Sequence, residues 1–339
     1  MSIKIVLFLF ISTFTISTFA TKEVRVFNEQ RDGVFFPIKY YFNGAFDVIQ
    51  NPVWFNQDNY SQKHREVFSR IKNPDKSIRR DGGYGKFFKD EFLSSRVIPN
   101  IGLHTLGASY DSFWLTEYFT YYNYPVAPLW TFITTYAAHI GNEALESTHD
   151  EIKSHDHIAD LYFFDVLGFT LSFNKEWIAF LSNDLGMRAW HGQPTLEIDK
   201  NKIFNPGLNY IYRPEILKFG SYAPILHTGM QNMAGLSRYN GRETHSFLAG
   251  VALTNPLKQK GRFVVGYYLE QNEELVASLL LNSGENMRFK LNLYPNFSGL
   301  FAEDKIWKDF SIVVGETRSR DYLLGFNFKM PIGLGKIGL

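Results

Sequence analysis

The chain has 339 residues, a formal net charge of +1 and no cysteine. That length holds one large domain or two ordinary ones, and the near-neutral charge offers no electrostatic grip for nucleic acid, a polybasic membrane contact or an acidic substrate. Without cysteine there is no lipoprotein anchor, disulfide or thiolate metal site.

The N-terminus reads as a secretory leader over residues 1–20. Lys4 precedes an apolar stretch from Ile5 to Phe10 that continues through Phe14 and Ile16, and Thr18-Phe19-Ala20 presents small residues at the cleavage positions. Ser12, Thr13, Thr15 and Ser17 interrupt the apolar part, which argues against an uncleaved anchor helix. Downstream, the apolar run Val126 to Ala138 contains Pro128 and falls short of the roughly 20 residues a spanning helix needs. Export without a helical anchor leaves the periplasm, the outer membrane or the medium of a Gram-negative bacterium as expected locations.

Residues 21–100 read as a mixed, polar region with short extended pieces such as Phe35 to Phe42 and a Gly-bearing loop at 73–83. Residues 101–160 read as a helical segment. Ser109 to Tyr122 is one amphipathic helix, Asn123 to Pro125 a break, and Pro128 sits in the first turn of a second helix reaching about Ser147. Leu129, Trp130, Phe132, Ile133, Tyr136 and Ala137 on that helix are expected to be buried on nearly all sides. Phe163 to Phe173 fits a buried helix or a strand, and the stretches near 207–219 and 222–230 look extended.

The region 161–339 is expected to be antiparallel and barrel-like. From His245 onward strands are predicted at 246–254, 262–270, 274–282, 286–294, 308–316 and 321–331, with residues 333–339 running past the last of them. Met287, Phe289, Leu291 and Leu293 share one face opposite Arg288, Lys290 and Asn292; Tyr322, Leu324, Phe326, Phe328 and Met330 oppose Asn327 and Lys329. Period-two alternation marks a sheet with one apolar and one polar face. Strands of this length behind a leader, with aromatics at 17%, suit an outer-membrane β-barrel, and a soluble antiparallel sheet has the same alternation. A membrane barrel needs at least about eight strands, so the middle of the chain must supply the rest. The expected fold is therefore mixed and β-dominated: an antiparallel meander, read as an outer-membrane barrel of eight or more strands, with the helices packed against or inside it.

The densest polar cluster runs from His139 through Asn142, Glu143, Glu146, Ser147 and His149 to Asp150. On a helix, His139, Glu143, Glu146 and Asp150 return to one stripe. Three readings compete. As a metal site, His139, Glu143, Glu146 and His149 are the candidate ligands, with Glu146-x-x-His149 resembling half of a di-metal carboxylate motif and His104 or His157 nearby. As a hydrolase acting on a lipid-like substrate, His104, Glu143, Glu146 and Asp160 are the candidates for general acid/base work. As structure, Asn100, His104, Asn142, Glu143, Glu146 and Asp160 form a polar cluster that hydrogen-bonds neighbouring helices. The His155-Asp156-His157 stretch reads as a solvated turn, and His191 has no evident partner. No phosphate loop, dinucleotide fingerprint or His-Glu-x-x-His occurs, so no nucleotide-binding residues are assigned and the cofactor is left unknown.

Asn100-x-x-x-His104 with Gly107, the helix 109–122, Glu143 and Glu146, and Asp160-Leu161 with Gly168 together resemble an uncharacterised family of bacterial exported proteins, a domain of unknown function found beside outer-membrane barrels. The resemblance covers residues 97–174, and Thr105 stands where the family often has Pro. It implies export and a buried polar constellation of Asn100, His104, Glu143, Glu146 and Asp160, and no reaction. The functional expectation is an outer-membrane protein whose helices plug or brace a barrel, in contact with membrane lipid and not with nucleic acid. The alternatives are the membrane-associated hydrolase and a soluble periplasmic β-sheet binding protein.

Overall fold

The computed structural model describes residues 24–338 apart from 53, 95, 98–99, 148–153, 256–259, 284–285, 296 and 298–308. The leader, His149 and Asp150 lie outside the described residues.

Helices fill the first half: α1 (Glu29–Asp32), α2 (Phe36–Ala45), α3 (Tyr60–Ile71), α4 (Pro74–Arg80), α5 (Gly83–Phe92), α6 (Ala108–Tyr121), α7 (Ala127–Glu146), α8 (Ser154–Ala159), α9 (Asp165–Leu171) and α10 (Lys175–Ala179). Phe35 to Phe42, expected to be extended, is helical. Pro37 occupies the first turn, and Phe36, Tyr40 and Gly44 recur on one buried face, so packing overrides aromatic β-preference. The stretch 73–83 is not a plain loop: Pro74 opens α4, Asp75 and Arg79 pair at 2.9 Å one turn apart, and Ile78 is buried. The two helices expected at 109–122 and 128–147 are α6 and α7.

α7 is less enclosed than its composition suggests. Leu129, Trp130 and Ile133 are 51%, 40% and 47% exposed, because only the Ala127, Thr131, Thr135 and Ala138 side of its first half faces the core. Its second half packs closely on α2. A Cβ at Gly141 would lie 2.6 Å from Ala45 Cβ and 2.8 Å from the Tyr60 hydroxyl, so the approach of the two helices requires glycine there. Residues 160–171 and 175–184 are helical, with π-helical turns at Asp160–Phe164 and Phe180–Asp184 and another at Asn100–Gly107.

The second half is a thirteen-stranded, mostly antiparallel sheet. Its strands are β1 (Arg188–Ala189), β2 (Thr195–Glu197), β3 (Lys202–Phe204), β4 (Tyr210–Tyr212), β5 (Tyr222–Thr228), β6 (Gln231–Asn240), β7 (Glu243–Asn255), β8 (Lys260–Gln271), β9 (Glu274–Leu281), β10 (Met287–Leu293), β11 (Phe310–Thr317), β12 (Tyr322–Phe328) and β13 (Gly333–Ile337). The six expected strands are β7 to β12. Residues 333–337, expected to run past the sheet, are its last strand: β13 pairs antiparallel with β12 and parallel with β2. The ladder of regular pairs runs β1-β4-β5 through β13-β2-β3 and does not itself close into a barrel. Its two ends, β1 and β3, belong to one hairpin, residues 188–212, within which Trp190 N–H donates to Asn209 O at 2.7 Å and Gly192 N–H to Gly207 O at 2.8 Å.

The buried face of this sheet carries polar side chains among its apolar ones. Across the register, Ala223, Ser237, Ser246, Tyr268, Ser278, Asn292, Val313, Gly325 and Gly335 form one inner row. Ser237 and Ser246 hydroxyls lie 2.8 Å apart, and Asn292 donates to Ser278 at 3.3 Å. The matching outer row is Pro224, Leu236, Phe247, Tyr267, Leu279, Leu291, Val314 and Leu324, none of it buried. Phe247, Phe263, Phe328 and Leu334 are each more than half exposed. The sheet also curls tightly. Arg213, next to β4, forms a buried bidentate pair with Glu270 on β8. Four strand steps of about 4.8 Å would put these groups roughly 19 Å apart on a flat sheet, beyond the reach of the two side chains.

The hairpin lies between the two halves. Trp190 and Ile211 pack into the sheet interior with Ile225, Leu248 and Tyr268, whereas Met187, Leu208 and Tyr210 pack into the helical core with Tyr40, Trp114 and Leu115. We expect Gly141→Val to lower stability by about 1–3 kcal/mol through overpacking between α2 and α7, read as a shift in denaturation midpoint.

Candidate functional site

The helical half gathers the acid and histidine side chains into one buried cluster. α7 contributes His139, Glu143 and Glu146, α8 contributes Asp156 and His157, and α9 begins with Asp165. His104 and Asp160 both lie on π-helical turns, Asn100–Gly107 and Asp160–Phe164. π turns recur at functional sites because the wider turn re-aims side chains off the 3.6 period. These elements meet closely at Gly168, where a Cβ would lie 2.6 Å from His104 O and 3.0 Å from Thr105 O.

Asp165 is the hub at one end. Its Oδ1 accepts from His104 Nδ1 at 2.8 Å, and His139 Nδ1 lies 2.6 Å from the same oxygen without the alignment of a hydrogen bond. Burial pushes this carboxyl up, but His139 and His104 outweigh it and hold it at about 2. His104 turns its other nitrogen, Nε2, toward Asp160 Oδ2 at 3.7 Å. Burial lowers the His104 proton affinity, yet Asp160 and Asp165 together raise it well above the ordinary histidine range. Burial, with Glu143 and Asp156 nearby, pushes Asp160 well up.

At the other end Arg70 donates to His157 Nε2 at 2.7 Å, which makes His157 Nδ1 the donor to Glu143. Burial holds His157 down at about 4, with Arg70 adding to the effect. Burial and the charge of Asp156 push Glu143 up to about 8. Asn142 accepts from Val48 N–H at 3.3 Å and donates to Glu146 at 3.2 Å. Arg96 bridges Glu91 at 2.9 Å and Asp156 at 3.3 Å.

Three triads of donor atoms, each mutually within 4.8 Å, run through the cluster: His104/His139/Asp165, His104/Glu143/Asp160 and Glu143/Glu146/Asp156. His104 and Glu143 link them into one chain of ligating groups. A void of about 20 Å³, room for roughly one water, adjoins His104, His139, Asn142 and Asp47.

The sequence therefore points to His104, His139, Asn142, Glu143, Glu146 and Asp160 as a group, and the fold brings them together. Asn100 is buried, but among the described residues no side-chain bond ties it to the rest. His155, Asp156 and His157 are not a solvated turn: all three are buried in α8 under α3, α4 and α5. Asp165 escapes sequence reasoning because it follows Asp160 by five residues, the spacing of a π turn, whose Asp165 N–H bonds to Asp160 O. His191 has a neighbour after all: its Nε2 lies 3.4 Å from Asp111 Oδ1, and its ring stacks on Trp114.

Two outcomes check this geometry. Asp165→Ala removes the shared anion beside two buried histidines and should cost about 3–5 kcal/mol of stability in chemical denaturation. The unfolded chain takes up the His157 proton near 6.5, whereas the folded chain holds out to about 4. The stability this contributes is complete above about 6.5 and is lost as pH falls through 4, so His157→Gln should show a smaller loss of denaturation midpoint over that window than the wild-type chain. No family model, no curated protein and no solved structure matches this chain.

Proposed function

We propose that this is an exported outer-membrane protein in which the helical half braces a curled sheet that closes as a barrel through the hairpin 188–212. The observation that carries the reading is the outer side of the sheet: Leu236, Phe247, Val251, Phe263, Val265 and Leu281 stand exposed along the strands, whereas the inner side mixes Leu248, Val264, Tyr268 and Leu280 with buried Ser237, Ser246, Ser278 and Asn292. In water such a face is costly, since soluble monomers rarely expose contiguous apolar patches beyond roughly a few hundred Å². In a bilayer it is the required surface, and polar groups belong inside. Closure is supported by the two backbone bonds that join β1–β2 to β3–β4 within the hairpin, by β4 pairing with β5, and by β2 pairing with β13. These contacts support the hairpin as the link between the two ends of the ladder.

The helices carry their own apolar outer surface, with Val126, Leu129, Trp130, Ile133, Phe163 and Leu167 exposed, which supports contact with a lipid interface. No helix among the described residues is long and apolar enough to cross a membrane. The acid/histidine cluster is mostly buried and several of its members hold one another, as His104 with Asp165 and His157 with Glu143, which favours a bracing role over hydrolysis of a lipid-like substrate.

Membrane fractionation of the full chain expressed in a Gram-negative host, with Phe247→Arg and Phe263→Arg variants, tests the reading. On a lipid-facing surface each arginine should destabilise the detergent- or bilayer-held fold by up to about 2–4 kcal/mol at mid-depth. On a solvated surface the same changes fall within about 0.5 kcal/mol. Wild-type protein that fractionates as soluble without detergent, together with neutral arginine variants, overturns the barrel reading in favour of a periplasmic sheet.

A further inference from the structure

We propose that His104, Glu143 and Asp160 bind a divalent transition-metal cation, with Asp165 as the outer group that orients His104. The donor set is one imidazole and two carboxylates, drawn from three separate elements and converging within 4.8 Å. Three protein ligands of this kind, with the remaining position open to water, suit zinc, manganese or iron better than calcium or magnesium, which favour all-oxygen shells.

The arrangement around His104 is what a metal ligand needs. A ligating imidazole donates its other N–H to a carboxylate, which fixes its tautomer and aims its lone pair. Here His104 Nδ1 donates to Asp165, leaving Nε2 directed at Asp160, 3.7 Å away. Two donors held about 2.0–2.2 Å from one tetrahedral cation stand roughly 3.5 Å apart, so this separation needs little adjustment. Glu143 is held in the same way, its carboxylate accepting from His157, which Arg70 orients in turn.

A second observation is independent of these contacts. Asp160 is 5% exposed, and its Oδ1 has no hydrogen-bond partner among the described residues. Asp165 Oδ2 is likewise buried and unpartnered. An unpartnered buried carboxylate oxygen is costly, and a cation is the partner that satisfies it together with its neighbours Glu143 and His104. The void beside His104 and His139 has room for the water that would complete the shell. Glu146 and Asp156, also within reach of Glu143, extend the acidic surroundings and strengthen attraction for a divalent ion.

The test uses the full chain, purified without chelator in detergent, or in plain buffer should it fractionate as soluble, so that failure of the membrane reading leaves this outcome readable. Elemental analysis should find about one equivalent or more of zinc, manganese or iron per chain, falling at least tenfold in His104→Ala and Asp160→Asn. Because those variants could fail to fold, chelator-stripped wild-type protein is also titrated with Zn²⁺ and Co²⁺. Binding should raise the melting temperature in proportion to metal and give the visible absorption of Co²⁺ in a nitrogen/oxygen site. Asp165→Asn should weaken Co²⁺ binding by about 10–100-fold without abolishing the spectrum. Metal-free wild-type protein with no Co²⁺ spectrum and no thermal shift at equimolar metal overturns the proposal, as does a His104→Ala variant that binds as tightly as wild type.

Discussion

A polar group taken out of water must find a partner inside the molecule, and both halves of this protein are arranged around that requirement. In the sheet, Ser237 pairs with Ser246 and Asn292 with Ser278 among the apolar residues of the inner face, with the Arg213–Glu270 pair spanning the curl. In the helices the partners are Asp165 for two histidines, His157 for Glu143 and Arg96 for Glu91 and Asp156. Apolar side chains fill buried cores in both halves and are also spread over the outside of the strands and along the outer faces of α7 and α9.

The hairpin 188–212 lets these halves coexist. Its residues alternate between the two cores, Trp190 and Ile211 toward the strands, Leu208 and Tyr210 toward the helices. Tyr210 reaches furthest, donating to the buried Asp111 of α6 at 2.6 Å while its ring lies within contact of Gly107. Asp47, in the turn after α2, accepts from Leu208 N–H, and Asn43 from Gly207 N–H at 2.9 Å. The helical half is thus bonded to the backbone of the hairpin, and the position of the acid/histidine cluster follows from that docking.

The strands were legible in the sequence because their signal is local: a side chain alternates with its neighbours two residues away whatever the rest of the chain does. Which face would be buried was not, since Met287-to-Leu293 alternation is the same whether the solvent outside is water or lipid. β13 was missed because Gly333, Gly335 and Lys336 supply little alternation, and its pairing depends on β2 nearly 140 positions earlier. α2 was hidden by aromatic residues whose β-preference gives way to packing, and α4 by a charged, proline-led stretch that resembles a loop. In the cluster, His139, Glu143 and Glu146 were visible as a helical stripe and His104 and Asp160 as isolated polar residues in apolar surroundings. Asp156 and His157 were obscured by their polar neighbours, whose burial comes from α3, α4 and α5 folding over them. Asp165 was obscured by a turn with the wrong period.

The parallel contact between β2 and β13 also bears on how the molecule reaches its native state. It pairs Thr195 with Gly333, so the sheet is complete only when segments far apart in the chain have found one another. The meander from β5 to β12 grows by pairing neighbours in sequence, with only the β10–β11 connection longer than a few residues, whereas this last pairing closes a loop of most of the second half. The slowest pairing to form should therefore be the one between β2 and β13, which brings together segments about 140 residues apart.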